Sequence, residues 1–184
     1  MSRKYRLGAD HHAHFVTFTV IDWIDFFIRN EYKDAFLTAL KHYQKNNGLE
    51  VYAYCIMTSH IHLILRSQSP HQLGETIKNL KGYTARTFHK MLMDENNTYE
   101  SRRRWLLWLM KQAGNYTSNT KGFQFWQQHN QPIELWNDKI FFQKMDYIHL
   151  NPVKSGFVSQ PEDWLYSSAL DHAGRQGLLE LAQL

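Results

Sequence analysis

The sequence predicts an α+β fold with an antiparallel sheet, and two observations carry this prediction. The predicted elements follow the order strand, helix, strand, strand, helix, then strand and helix, without the regular strand–helix alternation of a parallel sheet. The chain has 184 residues, of which 43% are hydrophobic, and a monomer of this size buries about 70% of the surface of its extended chain. We therefore expect one domain over residues 1–184 with one hydrophobic core.

The first part of the chain predicts three strands and one helix. The first strand is β-branched and aromatic, with Thr17 and Thr19 alternating against apolar side chains. The helix that follows has apolar side chains at helical spacing and closes at Gly48. Two apolar runs separated by Thr58-Ser59 then predict a hairpin. The predicted strands are 14–21, 49–57 and 60–67, and the predicted helix is 30–46.

A second amphipathic helix is predicted over about 71–93, with an apolar inner stripe and a basic outer face. Its inner residues are Ile77, Leu80, Thr84, Phe88 and Met91, and its basic residues are Lys78, Lys81, Arg86 and Lys90. Residues 76–121 carry nine basic and three acidic side chains, a balance of +6, although the whole chain has a net charge of only +4. This segment is interpreted as a docking surface for a polyanion, and the alternative is a solvated helix face.

The remaining elements are less regular. Residues 94–122 are rich in Asn, Ser and Thr and are interpreted as an insertion with a short helix near 103–113. Residues 123–136 have strand character, interrupted by Pro132. A last helix is predicted from Asp138, as its N-cap, through Leu150, and it stops at Asn151-Pro152. A tail is expected over 170–184.

Composition excludes several classes of protein. Cys55 is the only cysteine, which excludes an internal disulfide framework and a cysteine-based zinc knuckle. Apolar runs are too short to span a bilayer, and the start of the chain has no apolar segment of the kind found in secretory signals. A cytoplasmic protein is the expectation.

His60-Ile61-His62 is the sharpest chemical feature. Residues two apart in a strand project from the same face, so both imidazoles point one way and Ile61 enters the opposite, apolar face. This arrangement predicts a pair of metal ligands, and the alternative is an incidental pair among 11 histidines. A second pair, His12 and His14, leaves open a composite four-histidine zinc site.

The last helix supplies complementary groups. Tyr147 and Asn151 are one turn apart, so a hydroxyl and an amide oxygen can point at one place. The alternative is an ordinary tyrosine and an asparagine that caps the helix before Pro152. Two imidazoles, an amide oxygen and a tyrosine together predict a phosphoryl-transfer site, in which a divalent cation polarises the phosphate and the activated tyrosine forms a phosphotyrosine.

These motifs resemble those of a known family. MTSHIHLIL resembles the HUH motif of the single-tyrosine transposases, and DYIHLNPVKSGFV followed by DWLYSSA is similar to the C-terminal signature of the REP-associated tyrosine transposases and their insertion-sequence relatives. VTFTVIDW and LEVYAYCIM also match, so the resemblance covers about residues 14–169. It implies a ferredoxin-like antiparallel sheet with helices on one face, and a prokaryotic, nucleoid-associated protein.

The resemblance also implies an activity and its residues. The family cleaves single-stranded DNA near imperfect hairpins with Mg²⁺ or Mn²⁺ and forms a 5′-phosphotyrosine. Carried over to this sequence, His60, His62 and Asn151 match the metal ligands and Tyr147 the nucleophile. Thr58-Ser59 replaces the usual Pro-Asn, and the helix ligand is Asn rather than the Gln common in mobile insertion sequences. Self-mobilisation and repeat processing both stay open, as does a homodimer.

Phosphate contacts are predicted for a set of basic residues, which position DNA without specifying its sequence. They are Lys78, Lys81, Arg86, Arg102, Arg103, Arg104 and Lys154. Two other functions stay open: a non-catalytic protein that binds hairpin DNA or RNA, and a zinc-stabilised structural protein.

Overall fold

The computed structural model describes residues 12–115, 122–128 and 132–183. In these ranges the strands form a four-stranded antiparallel sheet with the order β2-β3-β1-β4. The strands are β1 (His14–Thr19), β2 (Leu49–Ile56), β3 (His60–Ser67) and β4 (Ile133–Glu134). The helices are α1 (Asn30–Asn47), α2 (Leu73–Met93), α3 (Arg103–Asn115), α4 (Asp138–Lys154) and α5 (Ala169–His172). The predicted α+β fold with an antiparallel sheet is confirmed.

One face of the sheet carries the main core. Val16 and Phe18 of β1 and Ile61 of β3 project from this face into a cluster that includes the buried sides of α1 and α2. A set of aromatic rings fills the end of this core, with centroids 4.1 to 5.5 Å apart for the pairs Phe26–Tyr32, Phe26–Phe125, Phe27–Phe88 and Phe88–Phe125. Such pairs contribute about 0.5–1.5 kcal/mol each beyond their buried area. The sheet is therefore a well-anchored platform for its other face.

The opposite face is covered by α4. Phe141, Met145 and Ile148 pack with Phe15 and Ile64 in a second, smaller cluster. The helices α1 and α2 thus share one face, as expected, whereas α4 lies across the other, so the expectation of helices on one face does not extend to α4. Successive side chains of β1 and β3 contribute alternately to the two clusters. This explains why the sequences of these strands are almost continuous apolar runs.

The ends of α4 differ from the prediction. Asn137, not Asp138, is the N-cap, because its Oδ1 accepts a hydrogen bond from the backbone N–H of Ile140 at 2.9 Å. The helix does not stop at Asn151 but continues through Pro152 to Lys154. The helical hydrogen bonds continue as well, since Ser155 N–H donates to the Asn151 carbonyl at 3.0 Å. The interpretation of Asn151 as a helix C-cap is therefore wrong.

The remaining segments join the same body. In α3, Leu106 and Met110 are fully buried in the core under α1 and α2, and residues 116–121 of the predicted insertion lie outside the described ranges. The strand character of 123–136 reduces to β4 and a bridge between Val20 and Trp126. Among the described helices, none is long and apolar enough to cross a bilayer.

Candidate active site

The two histidines of β3 share one face of the sheet, as the strand periodicity predicts. His60 and His62 lie opposite Thr19 and Thr17 of β1, and their ring centroids are 4.7 Å apart. Ile61 between them is fully buried in the core on the other face. The backbone between the two imidazoles is therefore fixed by an apolar anchor.

Neighbouring hydroxyls orient both rings. Thr17 Oγ1 lies 2.9 Å from His62 Nδ1, and Ser59 Oγ lies 3.1 Å from His60 Nδ1. These bonds engage the Nδ1 atoms, so the Nε2 atom of each ring is the one left for another partner. For His62 this partner comes from α4.

Helix α4 brings Asn151 and Tyr147 to the same place. The Asn151 amide lies 3.2 Å from His62 Nε2 and also hydrogen-bonds His60. One turn earlier, the Tyr147 ring centroid lies 5.2 Å from that of His62. Tyr147 is 41% exposed, so its side chain is open to solvent. The four predicted site residues converge from two elements that are 85 or more positions apart in the chain.

Both imidazoles are held neutral. Burial, together with the electrostatic repulsion that protonated His62 would meet from Lys144 and from the neighbouring His60, lowers the pKa of His62 to about 3. Burial also lowers the pKa of His60, against the opposing effect of its bond with Asn151. Neutral imidazoles have the lone pairs that a metal ion requires.

A model of the IS200-like transposase family matches residues 9–108, more than half of the chain. The chain belongs to this family. The matched residues include the β3 histidines of this IS200-like transposase and end before α4. The family resemblance of the sequence motifs is thereby confirmed.

One relative and two solved structures are similar to this chain. A protein of Haemophilus influenzae described as a REP-associated tyrosine transposase is 29% identical over 142 residues, which are 76% of this chain and 67% of the relative. A solved structure of a REP-associated tyrosine transposase bound to a REP hairpin aligns with 100% of this chain and 95% of its own at a TM-score of 0.68. With 17% identity, this likeness shows a shared fold. A crystal structure of a transposase from Deinococcus radiodurans aligns at a TM-score of 0.42, with 19% identity over 79% of this chain and 95% of its own.

The donor set of this IS200-like transposase fits a divalent cation. Two neutral imidazoles and an amide come together, and the Asn151 carboxamide carries an oxygen as well as the nitrogen beside His62. In the described ranges no group of three or more His, Cys, Asp or Glu side chains is placed to hold a metal. If a divalent cation binds, His60, His62 and Asn151 are the residues that would hold it, with positions left open for a phosphate.

The prediction of a composite four-histidine zinc site is wrong. His14 pairs with Leu65, so it projects from the α1/α2 face, opposite to His60 and His62. His12 contacts Glu134 instead, with Nδ1 and Oε1 2.6 Å apart. The sequence could not exclude this site, because which faces the two pairs occupy depends on the register between β1 and β3.

One cation near Tyr147 is absent from the residues that the sequence predicts for the site. Lys144 Nζ lies 4.9 Å from the ring centroid of Phe15 and 5.6 Å from that of Tyr147. The predicted phosphate contact Lys154 also lies near this ring, with Nζ 6.0 Å from the Tyr147 ring centroid. Lys144, Tyr147, Asn151 and Lys154 are spaced by three, four and three residues, a helical face that the sequence does display.

The basic segment is only partly an outer surface. Lys78, Arg86 and Arg104 are exposed, and their phosphate contacts stay predictions. Lys81 does not face outward: its Nζ donates to the Gln127 carbonyl at 2.9 Å and lies 5.3 Å above the Phe18 ring. Burial lowers the pKa of Lys81 to about 8. The placement of Lys81 on a basic outer face is wrong, because position 81 falls within the buried helical stripe of Ile77, Thr84 and Phe88.

Two of the three consecutive arginines bond within the chain. Arg102 makes a two-pronged ion pair with the buried Glu100, with N–O distances of 2.9 Å, and donates to the Asp25 carbonyl at 2.9 Å. It therefore joins the loop before α3 to the loop before α1, and its phosphate contact stays a prediction. Arg103 donates to the Asp94 carbonyl at 2.6 Å, and its phosphate contact stays a prediction.

A hydrogen-bond network attaches α4 to the edge of the sheet. His149 Nε2 lies 2.8 Å from Ser168 Oγ, and that oxygen also accepts from Tyr54 N–H at 2.9 Å. The backbone of residues 166–168 pairs with β2, through Ile56 N–H to the Tyr166 carbonyl at 2.9 Å and Ser168 N–H to the Tyr54 carbonyl at 3.0 Å. The two C-terminal motifs of the sequence thus meet in space and fix the position of the helix that carries Tyr147.

We expect this network to make the protein sensitive to acid. Burial, with the neighbouring charge of His172, lowers the pKa of His149 to about 4 from 6.5. The neutral form favours the folded state, so its contribution is complete above pH 6.5 and is lost as the pH falls from 6.5 to about 4. From this group alone, the free energy of unfolding of the metal-free protein should drop by about 2 kcal/mol between pH 7.5 and 5.0.

Urea denaturation at the two pH values measures this effect. His149→Gln, which keeps a hydrogen-bonding group towards Ser168, should flatten the pH dependence, whereas His42→Gln on the exposed side of α1 should not. An unchanged pH dependence in His149→Gln would assign the acid sensitivity to other groups.

Proposed function

We propose that this protein is a metal-dependent transposase that cleaves and rejoins single-stranded DNA at hairpin repeats through a 5′-phosphotyrosine on Tyr147. The observation that carries the proposal is the convergence of α4 on the β3 histidines, with Asn151 3.2 Å from His62 and the Tyr147 ring beside it. Hairpin repeats are proposed as the substrate because the fold matches that of a protein whose structure contains a REP hairpin.

The proposed cleavage is a displacement at phosphorus. The Tyr147 oxygen forms a bond to the scissile phosphorus and loses its proton to water. The bond from phosphorus to the 3′-oxygen breaks, and that oxygen leaves as a hydroxyl after taking up a proton. A bound Mg²⁺ or Mn²⁺ supplies Lewis-acid polarisation of the phosphate. Strand transfer is the reverse displacement, in which a 3′-hydroxyl attacks the phosphotyrosine.

Residues around Tyr147 suit this reaction. Its ring lies against Phe15, with centroids 5.8 Å apart, and against His62, which fixes the direction of the hydroxyl-bearing side chain. The ammonium groups of Lys144 and Lys154 lie 5.6 and 6.0 Å from the centroid of this ring. They are placed to attract the phosphate and to stabilise the charge that develops on it.

The test is to incubate the protein with single-stranded hairpin DNA and Mg²⁺ and to separate the products under denaturing conditions. A protein–DNA band that resists denaturation is expected with the hairpin substrate and not in the presence of a chelator. Tight hairpin binding without any such band would instead support a non-catalytic hairpin-binding protein.

A further inference from the structure

The segment that leaves β1 has an unusual backbone. Asp22 has φ 51° and ψ 23°, and Trp23 has φ 55°, so two consecutive non-glycine residues are left-handed. Each side chain in this region crowds the backbone and costs free energy. Such a conformation persists only where its surroundings enforce it.

The surroundings of this turn do enforce it. Trp23 N–H donates to the Val20 carbonyl and Ile24 N–H to the Ile21 carbonyl, both at 3.1 Å. Ile21 and Ile24 are buried on either side of the turn, and the fully buried Phe26 and Phe27 follow. The chain is thus anchored in the core immediately before and after the two strained residues.

The strained backbone does not bury Trp23 in the hydrophobic core. The Trp23 side chain stays 58% exposed, although burial of an indole is among the largest hydrophobic gains that a residue offers. Its ring instead lies beside His60, with centroids 5.4 Å apart and planes at 71°. The turn therefore presents a large, open aromatic ring at the border of the candidate active site.

The position of Trp23 complements that of Tyr147. Tyr147 contacts His62 from the α4 side, and Trp23 contacts His60 from the end of the strand. Since His60 and His62 also contact each other, the four rings form a continuous chain of contacts that begins at the exposed Tyr147 and ends at the exposed Trp23. Lys144 and Lys154 lie at the Tyr147 end, where they can receive a phosphate, whereas the Trp23 end offers an indole face.

We infer that Trp23 is a stacking platform for an unpaired base of the DNA strand, and that this base lies within a few nucleotides of the phosphate that Tyr147 attacks. This inference rests on the proposed function and adds a base-binding subsite to it. Every nucleobase has a π-face, so stacking on an indole holds the strand in place without selecting its sequence. Trp23 is a positioning residue for the scissile phosphate, and the rigid turn keeps the indole in place before the strand arrives.

The experiment measures stacking directly, without metal and without cleavage. Tyr147→Phe protein is titrated with hairpin DNA in which single unpaired bases flanking the cleavage site are replaced one at a time by fluorescent 2-aminopurine. With Trp23 present, one of these probes should be quenched on binding. In the same background, Trp23→Leu should abolish the quenching and weaken binding about tenfold, within the range that loss of one stacked base produces.

Three controls separate stacking from packing. Trp23→Phe keeps an aromatic face and should keep most of the quenching. Trp136→Leu removes another exposed tryptophan, at 64% exposure, and should leave affinity and quenching unchanged. Equal thermal stability of the Trp23 variants and the parent shows that the fold is intact.

The outcomes also separate this inference from the proposed function. An adduct on Tyr147 together with full quenching and affinity in Trp23→Leu would overturn the stacking platform and leave the nuclease assignment standing. Loss of quenching in Trp23→Leu without any adduct in the parent protein would support the platform and overturn the nuclease.

Discussion

Replacing Tyr147 with phenylalanine is expected to abolish formation of the covalent protein–DNA adduct, with a loss of at least about 10³-fold in cleavage rate. The substitution removes one oxygen and keeps the ring that contacts Phe15 and His62. Affinity for hairpin DNA should therefore stay within a factor of about two of the parent. The measurements are denaturing gel analysis of the adduct and a metal-free binding titration.

The chain offers a matched control for this variant. Tyr83 on α2 is exposed to the same extent as Tyr147, 41%, and it lies on the helix that packs on the opposite face of the sheet. Tyr83→Phe should form the adduct at the parental rate. An undiminished adduct in Tyr147→Phe would show that Tyr147 is not the nucleophile.

Replacing His62 with alanine is expected to lower cleavage by at least about 10²-fold, and added Mn²⁺ should not restore it. The His62 ring contacts Thr17, Asn151 and Tyr147. Its loss therefore removes a proposed metal ligand and also the surface against which α4 packs. His60→Ala should have an effect of similar size, because it removes the other proposed metal ligand.

Folding must be separated from chemistry here, because His62 is only 4% exposed. His62→Gln fills more of the same space and should fold, yet still cleave poorly, and circular dichroism together with hairpin affinity checks that the protein is intact. His42→Ala, on the exposed side of α1, should cleave normally. Normal cutting by both His60→Ala and His62→Ala would show that the metal hypothesis is wrong.

Local periodicity was enough to predict the framework. Alternation in the strands and helical spacing in α1 and α2 fix which side chains face the core, and the closure of α1 at Gly48, with φ 57°, is confirmed. The shared face of His60 and His62 follows from the same rule, since it depends on neighbours in one strand.

What failed required knowledge of distant partners. The face occupied by His14 depends on its pairing with Leu65. Helical spacing already places Lys81 in the buried stripe of α2, but the carbonyl of Gln127 that accepts from its Nζ there is a distant partner. Pro152 stops a helix when it falls mid-helix, but near the end of α4 the chain loses little by continuing. The proximity of Asn151 to His62, by contrast, was reached through motif resemblance, because no local rule joins residues 89 positions apart.

The attachment of α4 through Ser168 has a consequence for local opening of the native state. Residues 166–168 cover the edge of β2 with two backbone hydrogen bonds, and the Ala182 N–H bond to the Val51 carbonyl, at 2.8 Å, covers it further along. When this C-terminal segment detaches, an edge strand is exposed and His149 loses its partner in the same event. The amides of Ile56 and Ser168 should therefore exchange with solvent deuterium at the rate of that opening. The fraction of molecules that hold Tyr147 beside the β3 histidines is then governed by a stretch of chain that contributes none of the four candidate site residues.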